Sequence, residues 1–156
     1  PTPPGPGSRV RPLIVAGVVL ESPVGPVAHS DGDVLYHAVV DALLGALALP
    51  DIGQLFPDNA PENDGRNSED FVREAIKRVF MQRYRIVNLD ATVILEKPRI
   101  GPHKDTMRLN LARLLNVHPS CINVKGKSHE KVDAVGEGRA VEAHVVVLLE
   151  RETKSS

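Results

Sequence analysis

The segment from Val34 to Leu49 constrains the fold most. Its apolar residues fall all round a 3.6-residue repeat, not along one stripe, so as a helix it is expected to be buried on most sides. Asp31 or Asp33 offers the N-cap and Pro50 the stop. A helix buried in this way needs other layers around it, and the remaining chain supplies them. Leu13–Leu20, Asn88–Glu96, Ile122–Lys127 and Ala143–Leu149 read as strands. A second helix opens at Asn67 or Ser68, with Phe71, Val72, Ala75, Ile76, Val79 and Phe80 on one face, and Lys104–Leu115 is a third. Glu21–Asp31, Asp51–Arg66 and Ser128–Arg139 are polar or Pro/Gly-rich loops. The order β-α-α-β-α-β-β predicts an α+β single-domain sandwich, a four-stranded mixed sheet with helices on one face. The other face then needs a cover, and self-association is the simplest one.

At 156 residues the chain fits one domain with a substantial core. Residues 11–150 form that domain; the Pro/Gly run at 1–10 is expected to be disordered or a loop remnant, and 151–156 a flexible polar tail. A formal net charge of −1 gives no broad basic field for nucleic acid or an anionic membrane surface. The 34–49 run is too short to span a bilayer and carries His37 and Asp41, and no basic leader precedes an apolar stretch at the start. The single cysteine, Cys121, excludes an intrachain disulfide and fits a reducing compartment. It reads as a small buried hydrophobe ahead of a strand, with a nucleophile as the alternative.

Asp33, His37 and Asp41 are spaced i, i+4, i+8 and so share one helix face. Polar groups buried there need partners, because an unpaired one costs about 1–3 kcal/mol. Two readings stay open: a self-satisfied His–carboxylate pair in the core, or a metal-binding imidazole oriented by a neighbouring carboxylate. His29-Ser30-Asp31-Gly32-Asp33, just before the helix, is either an ordinary capping loop or a place where backbone amides and a hydroxyl meet a phosphate. Glu130 alone reads as a solvated loop acid.

Taken as one string, His29-Ser30-Asp31-Gly32-Asp33-Val34-Leu35-Tyr36-His37-Ala38-Val39-Val40-Asp41-Ala42-Leu43-Leu44-Gly45 closely resembles the signature segment of the 2-C-methyl-D-erythritol 2,4-cyclodiphosphate synthase family. The resemblance continues through Asp51-Ile52-Gly53-Gln54-Leu55-Phe56-Pro57-Asp58 and Asn88-Leu89-Asp90-Ala91-Thr92. It returns at Lys97-Pro98-Arg99-Ile100-Gly101-Pro102-His103 and at Asn123-Val124-Lys125 leading to His129-Glu130-Lys131, so that it runs in order from about Pro12 to Leu149. The forms around His103 and His129 are similar to the plant or apicomplexan branch.

This resemblance implies a lyase of the non-mevalonate isoprenoid route. It would cyclise 4-diphosphocytidyl-2-C-methyl-D-erythritol 2-phosphate to the cyclic diphosphate with loss of CMP, using Zn²⁺ and a second ion, Mg²⁺ or Mn²⁺. It implies His37 as a zinc ligand, Asp41 beside it, and Glu130 as the carboxylate for the second metal. His29, Ser30 and Ser128 would meet the phosphates. Asp51, Gly53, Phe56 and Asp58 would hold or shape the site for the methylerythritol part, and Lys97, Pro98, Arg99, Ile100 and Gly101 would form a main-chain pocket for cytosine. It also implies a homotrimer with sheets facing the threefold axis and each site shared by two subunits. The setting would be the plastid or apicoplast in a eukaryote and the cytoplasm in a bacterium.

Two departures bear on this. The family's other zinc ligands are an Asp and a His in an upstream Gly-x-Asp-x-His segment, and no Asp or His stands before Arg11 here. The expectation is that this stretch is missing from the sequence, because His29, Asp41 and Glu130 remain. The other reading is a zinc-free trimer that binds cytidine diphosphate or an isoprenoid diphosphate without catalysis. Arg139 follows Gly136-Glu137-Gly138 instead of preceding it, so a family arginine there has no clear counterpart.

Overall fold

The computed structural model describes residues 13–20, 32–55, 66–95, 99–127 and 141–153. In chain order its elements are β1 (Leu13–Val15), β2 (Val18–Leu20), α1 (Val34–Ala46), α2 (Ile52–Leu55), α3 (Arg66–Met81), β3 (Tyr84–Ile94), α4 (Lys104–Leu115), β4 (Ile122–Lys127) and β5 (Glu142–Arg151). The fold is α+β, with a mixed sheet and helices packed on it. β3 is central, parallel to β4 and antiparallel to β5. Among the described residues this sheet has three strands, not the expected four.

The missing strand is the 13–20 segment, which folds into a hairpin of its own. Val15 pairs with Val18 across a tight turn in which Ala16 (φ 48°) and Gly17 (φ 77°) both adopt left-handed backbone. Such a turn matches the twist of a two-residue hairpin loop, but it is unfavourable for alanine. Asp33 supplies the compensation. One carboxylate oxygen accepts from the Ala16 N–H at 2.8 Å and the other from the Gly17 N–H at 2.7 Å. Asn110 of α4 donates to the Ala16 carbonyl at 2.8 Å. A side chain at 17 has no room, since its Cβ would stand 2.9 Å from the Tyr36 hydroxyl.

The same Asp33 caps α1, its Oδ1 accepting from the N–H groups of Leu35 (3.1 Å) and Tyr36 (3.0 Å). One side chain, 2% exposed, therefore ties the hairpin to the helix start. The helix ends at Ala46, short of Leu49, because Leu47 leaves helical geometry and Ala48 turns left-handed (φ 57°). It buries Leu35, Tyr36, Val39, Val40, Leu43 and Leu44, but it is not enclosed all round. His37 is half-buried and Asp41 and Gly45 are exposed, so the expected buried stripe is a partly open one.

Helix α3 buries Phe71, Val72, Ala75, Ile76 and Val79; Phe80 lies on the flank of that stripe and is exposed. The helix starts at Arg66, which places Ser68 inside its first turn and not at the cap. α4 runs over the expected residues and closes with Asn116 in left-handed backbone (φ 56°). Cys121 is half-buried, not fully enclosed.

β3 turns Ile86 and Leu89 toward the helices although they are three residues apart. A bulge at Val87 makes this possible by letting Ile86 oppose Leu149 and Asn88 oppose Leu148. From Leu89 the alternation is regular: Leu89, Ala91 and Val93 join Ile122 and Val124 in the core. The opposite face carries Asp90, Thr92, Asn123, Lys125, Val146 and Leu148. Val146 and Leu148 are 72% and 54% exposed. β5 continues to Arg151, whose guanidinium donates to the Tyr84 hydroxyl (2.9 Å) and sits over the ring. No helix among the described residues is long and apolar enough to cross a membrane.

Candidate functional site

The described residues gather the expected chemistry at two places. The first is the partly open face of α1. His37 Nε2 lies 3.3 Å from the hydroxyl of Ser68, which itself accepts the backbone N–H of Asp33 at 3.1 Å. Ser68 is fully buried, so the ring is held by a hydroxyl that the core keeps in place. Asp41 follows one turn on. Partial removal from water raises its carboxyl above the ordinary range; the His37 ring opposes this and the Asp51 carboxylate adds to it.

Asp51 comes near this face. Its Oδ1 accepts from the Gln54 N–H at 3.0 Å and so caps the short α2 that contains Gly53. Asp33, counted with His37 and Asp41 in the i, i+4, i+8 series, is not part of the open face. Its carboxylate is committed to four backbone N–H groups.

The donor chemistry of His37 suits a divalent metal: a half-buried imidazole held through one nitrogen and flanked by a carboxylate. One imidazole does not make a site, since a catalytic zinc takes about three protein ligands. Among the described residues no three His, Cys, Asp or Glu side chains converge as a metal site.

The second place is a cavity of about 280 Å³ where the ends of β3 and β4 meet the turn before α4. Val93, Leu95, Ile100 and Gly126 line its apolar part, and Arg99, Lys104 and Lys127 its polar part. Ile100 is 4% exposed and packs close to β4: a Cβ on Gly126 would stand 2.8 Å from its Cγ1. The absence of a side chain at 126 is what lets the 99–101 turn lie over the strand end. Of the expected base-binding run, Arg99, Ile100 and Gly101 are thus brought to one cavity.

His29, Ser30, Phe56, Asp58, Lys97, Pro98, Ser128 and Glu130 lie outside the described residues. Ser68, Gly126, Lys104 and Lys127 are site-lining residues that sequence reasoning missed. Ser68 is 31 positions from His37 and left no local signal as its partner. A signal for the lysines was available in Gly101-Pro102-His103-Lys104 and Lys125-Gly126-Lys127, basic residues beside turn or small residues.

The sequence profile of the YgbB family matches residues 7–150. The chain is 55% identical over 138 residues to a chloroplastic 2-C-methyl-D-erythritol 2,4-cyclodiphosphate synthase of Arabidopsis thaliana, covering 88% of this chain and 60% of that protein. The chain therefore spans about three fifths of the length of this plant relative. A 2-C-methyl-D-erythritol 2,4-cyclodiphosphate synthase of Rhodopirellula baltica is 48% identical, covering 90% of this chain and 84% of its own. Among solved structures, IspF of Plasmodium falciparum in its CDP complex superposes with a TM-score of 0.77 at 36% identity, covering 94% of this chain and 88% of the other. The chain belongs to the YgbB family, whose members include the 2-C-methyl-D-erythritol 2,4-cyclodiphosphate synthases.

Proposed function

We propose that this chain carries the 2-C-methyl-D-erythritol 2,4-cyclodiphosphate synthase activity, a lyase step of non-mevalonate isoprenoid biosynthesis. It would convert 4-diphosphocytidyl-2-C-methyl-D-erythritol 2-phosphate to the cyclic diphosphate and CMP. The observation that carries the reading is the cavity at Arg99, Ile100 and Gly101, an apolar recess rimmed by cations in a chain of this family. An apolar floor suits a flat base, and main-chain groups of residues 97–101, Lys97 and Pro98 included, would read the cytosine edge. The CDP of the Plasmodium relative supports that assignment.

The reaction brings two anionic phosphates together and breaks the bond to CMP. The 2-phosphate oxygen attacks the β-phosphorus, and the electron pair of the broken P–O bond leaves with the α-phosphate of CMP. Clamping both ends of one molecule removes the entropy cost of that encounter, and cations offset the repulsion. Asp51 and Gly53, with Phe56 and Asp58, would seat the methylerythritol part; His29, Ser30 and Ser128 would meet phosphate oxygens. His37, flanked by Asp41, would contribute one ligand to Zn²⁺ and Glu130 one to Mg²⁺ or Mn²⁺. Such ions, when bound, polarise phosphoryl oxygens.

The open sheet face with Val146 and Leu148 supports a homotrimer closed by that face, with the α1 face of one copy completing the cavity of the next. Incubation of the chain with the diphosphocytidyl substrate, Zn²⁺ and Mg²⁺, followed by ³¹P NMR, tests the proposal. The two resonances of the cyclic diphosphate should appear with stoichiometric CMP. Binding of CDP without turnover, in this chain and in one carrying the family's upstream Asp-x-His segment, would instead identify a nucleotide-binding protein.

A further inference from the structure

Three cations converge on the cavity at the ends of β3 and β4, and among the described residues its lining includes no carboxylate. Arg99, Lys104 and Lys127 are exposed, and among the described residues none of the three has an ion-pair partner. Elsewhere on the described surface Arg73, Arg78, Arg85, Arg108, Arg113 and Lys125 face carboxylates, while Lys77, Arg83 and Arg151 stand singly and not three around one recess. Like charges held around one recess repel each other and are relieved by an anion. Directly beneath them lie Val93, Leu95 and Ile100, at 1%, 8% and 4% exposure. One recess thus offers an apolar floor and a cationic rim, matching a ligand with a flat apolar part and an anionic part.

The size decides how the parts are divided. A volume of about 280 Å³ is at the small end for ligand pockets and suits a base with part of its sugar. The phosphates of a nucleotide seated there would be left at the mouth, where exposed lysine side chains carry their charge.

We propose that Lys104 and Lys127 are specificity-determining residues that read the diphosphate of the bound nucleotide, while the cavity floor takes the base. The proposal rests on the nucleotide reading of this cavity given above. Lys104 opens α4 and Lys127 closes β4, so two rigid elements set the spacing of the two lysine backbones, and the flexible stems let both ammonium groups reach one anion. Their contribution depends on ligand charge: it is absent for a nucleoside, partial for a monophosphate and full for a diphosphate.

Isothermal titration of the wild-type chain and of K104Q, K127Q and the double variant with cytidine, CMP and CDP, at low and high KCl, tests this. Each substitution should weaken CDP about tenfold at low salt, as loss of a charge-assisted contact does, and the double variant more. Cytidine affinity should stay within about twofold, and high salt should narrow the CDP difference. Both lysines are exposed and sit among like charges, so neither substitution should lower the melting temperature. If the double variant binds CDP like the wild type, the lysines do not read the phosphates. Equal losses for cytidine and CDP would mean that they hold the base or sugar, and would overturn the proposal while leaving the cavity a nucleotide site. If the wild type binds neither cytidine nor CDP, the nucleotide reading and this inference fall together.

Discussion

Removing the Asp33 carboxylate should cost more than an ordinary helix cap, because the same group holds the hairpin turn. In Asp33→Ala the N–H groups of Leu35 and Tyr36 lose their cap, worth about 1 kcal/mol. The Ala16 N–H is left unpaired in a position that is 0% exposed, for about 1–3 kcal/mol more. Gly17 is exposed, so water replaces its bond at little cost. The sum is about 2–4 kcal/mol, a large share of a typical domain's stability. Asp33→Asn separates geometry from charge. Its carbonyl oxygen can keep the three bonds made by Oδ1, while its NH₂ meets the Gly17 N–H and cannot accept, for a loss of about 1 kcal/mol. Urea denaturation followed by far-UV circular dichroism, at one protein concentration, should rank wild type above Asp33→Asn above Asp33→Ala. An alanine variant within about 0.5 kcal/mol of wild type would refute the account of a shared clamp. Equal losses in both variants would show that charge matters and bond geometry does not.

Ser68→Ala should leave the Asp33 N–H unpaired in the core, lowering stability by about 1–3 kcal/mol. It should also shift the His37 ring ¹⁵N resonances; unchanged resonances would mean that the hydroxyl does not hold the ring. Gly126→Val should push Ile100 off the cavity floor, costing about 1–3 kcal/mol of stability and weakening CDP binding, both measurable on one preparation. If the proposed homotrimer closes by the open sheet face, Val146→Glu should lower the mass seen by light scattering from trimer to monomer while leaving the far-UV spectrum intact. Asp90 accepts from Lys125 at 2.8 Å and Asn123 at 3.0 Å, which holds its carboxyl below the ordinary range. Its stabilisation is therefore present above the unfolded value of about 4 and is lost as pH falls through the lower folded value. The pair is half-exposed, so acid titration of wild type against Asp90→Asn should differ by no more than about 1 kcal/mol.

Where local rules decide, the sequence was readable. α4 occupies Lys104–Leu115 as its period and flanking prolines indicate, and β4 occupies Ile122–Lys127. The hairpin was not readable as two strands, because a single Gly17 in an otherwise apolar run looks like a strand interior until its partner is known. That partner is Asp33, 16 positions away, and no periodicity links them. The same limit governs the site. His37, Asp41 and Asp51 were visible as chemistry, but the half-open setting of α1 depends on which of its sides α3 and the sheet cover. Lys104 and Lys127 belong to different elements and meet only because α4 packs beside β4.

The chain breaks local preference in two places, and the difference between them separates support from function. Ala16 takes a left-handed conformation that costs about 1–2 kcal/mol, and the structure answers it at once with two carboxylate bonds and an amide bond. That conflict is closed within the fold. Lys104 places a cation at the positive end of α4, an arrangement worth about 0.3–1 kcal/mol against the helix, beside two further cations. Asp105 is adjacent, but it faces Arg108 at 3.6 Å. No described carboxylate pairs with Lys104 or Lys127. A conflict that the fold leaves open is the kind that a ligand closes, because compensation supplied from outside need not be built into the chain. The hairpin clamp therefore belongs to stability, and the cationic rim is where the proposed binding role falls.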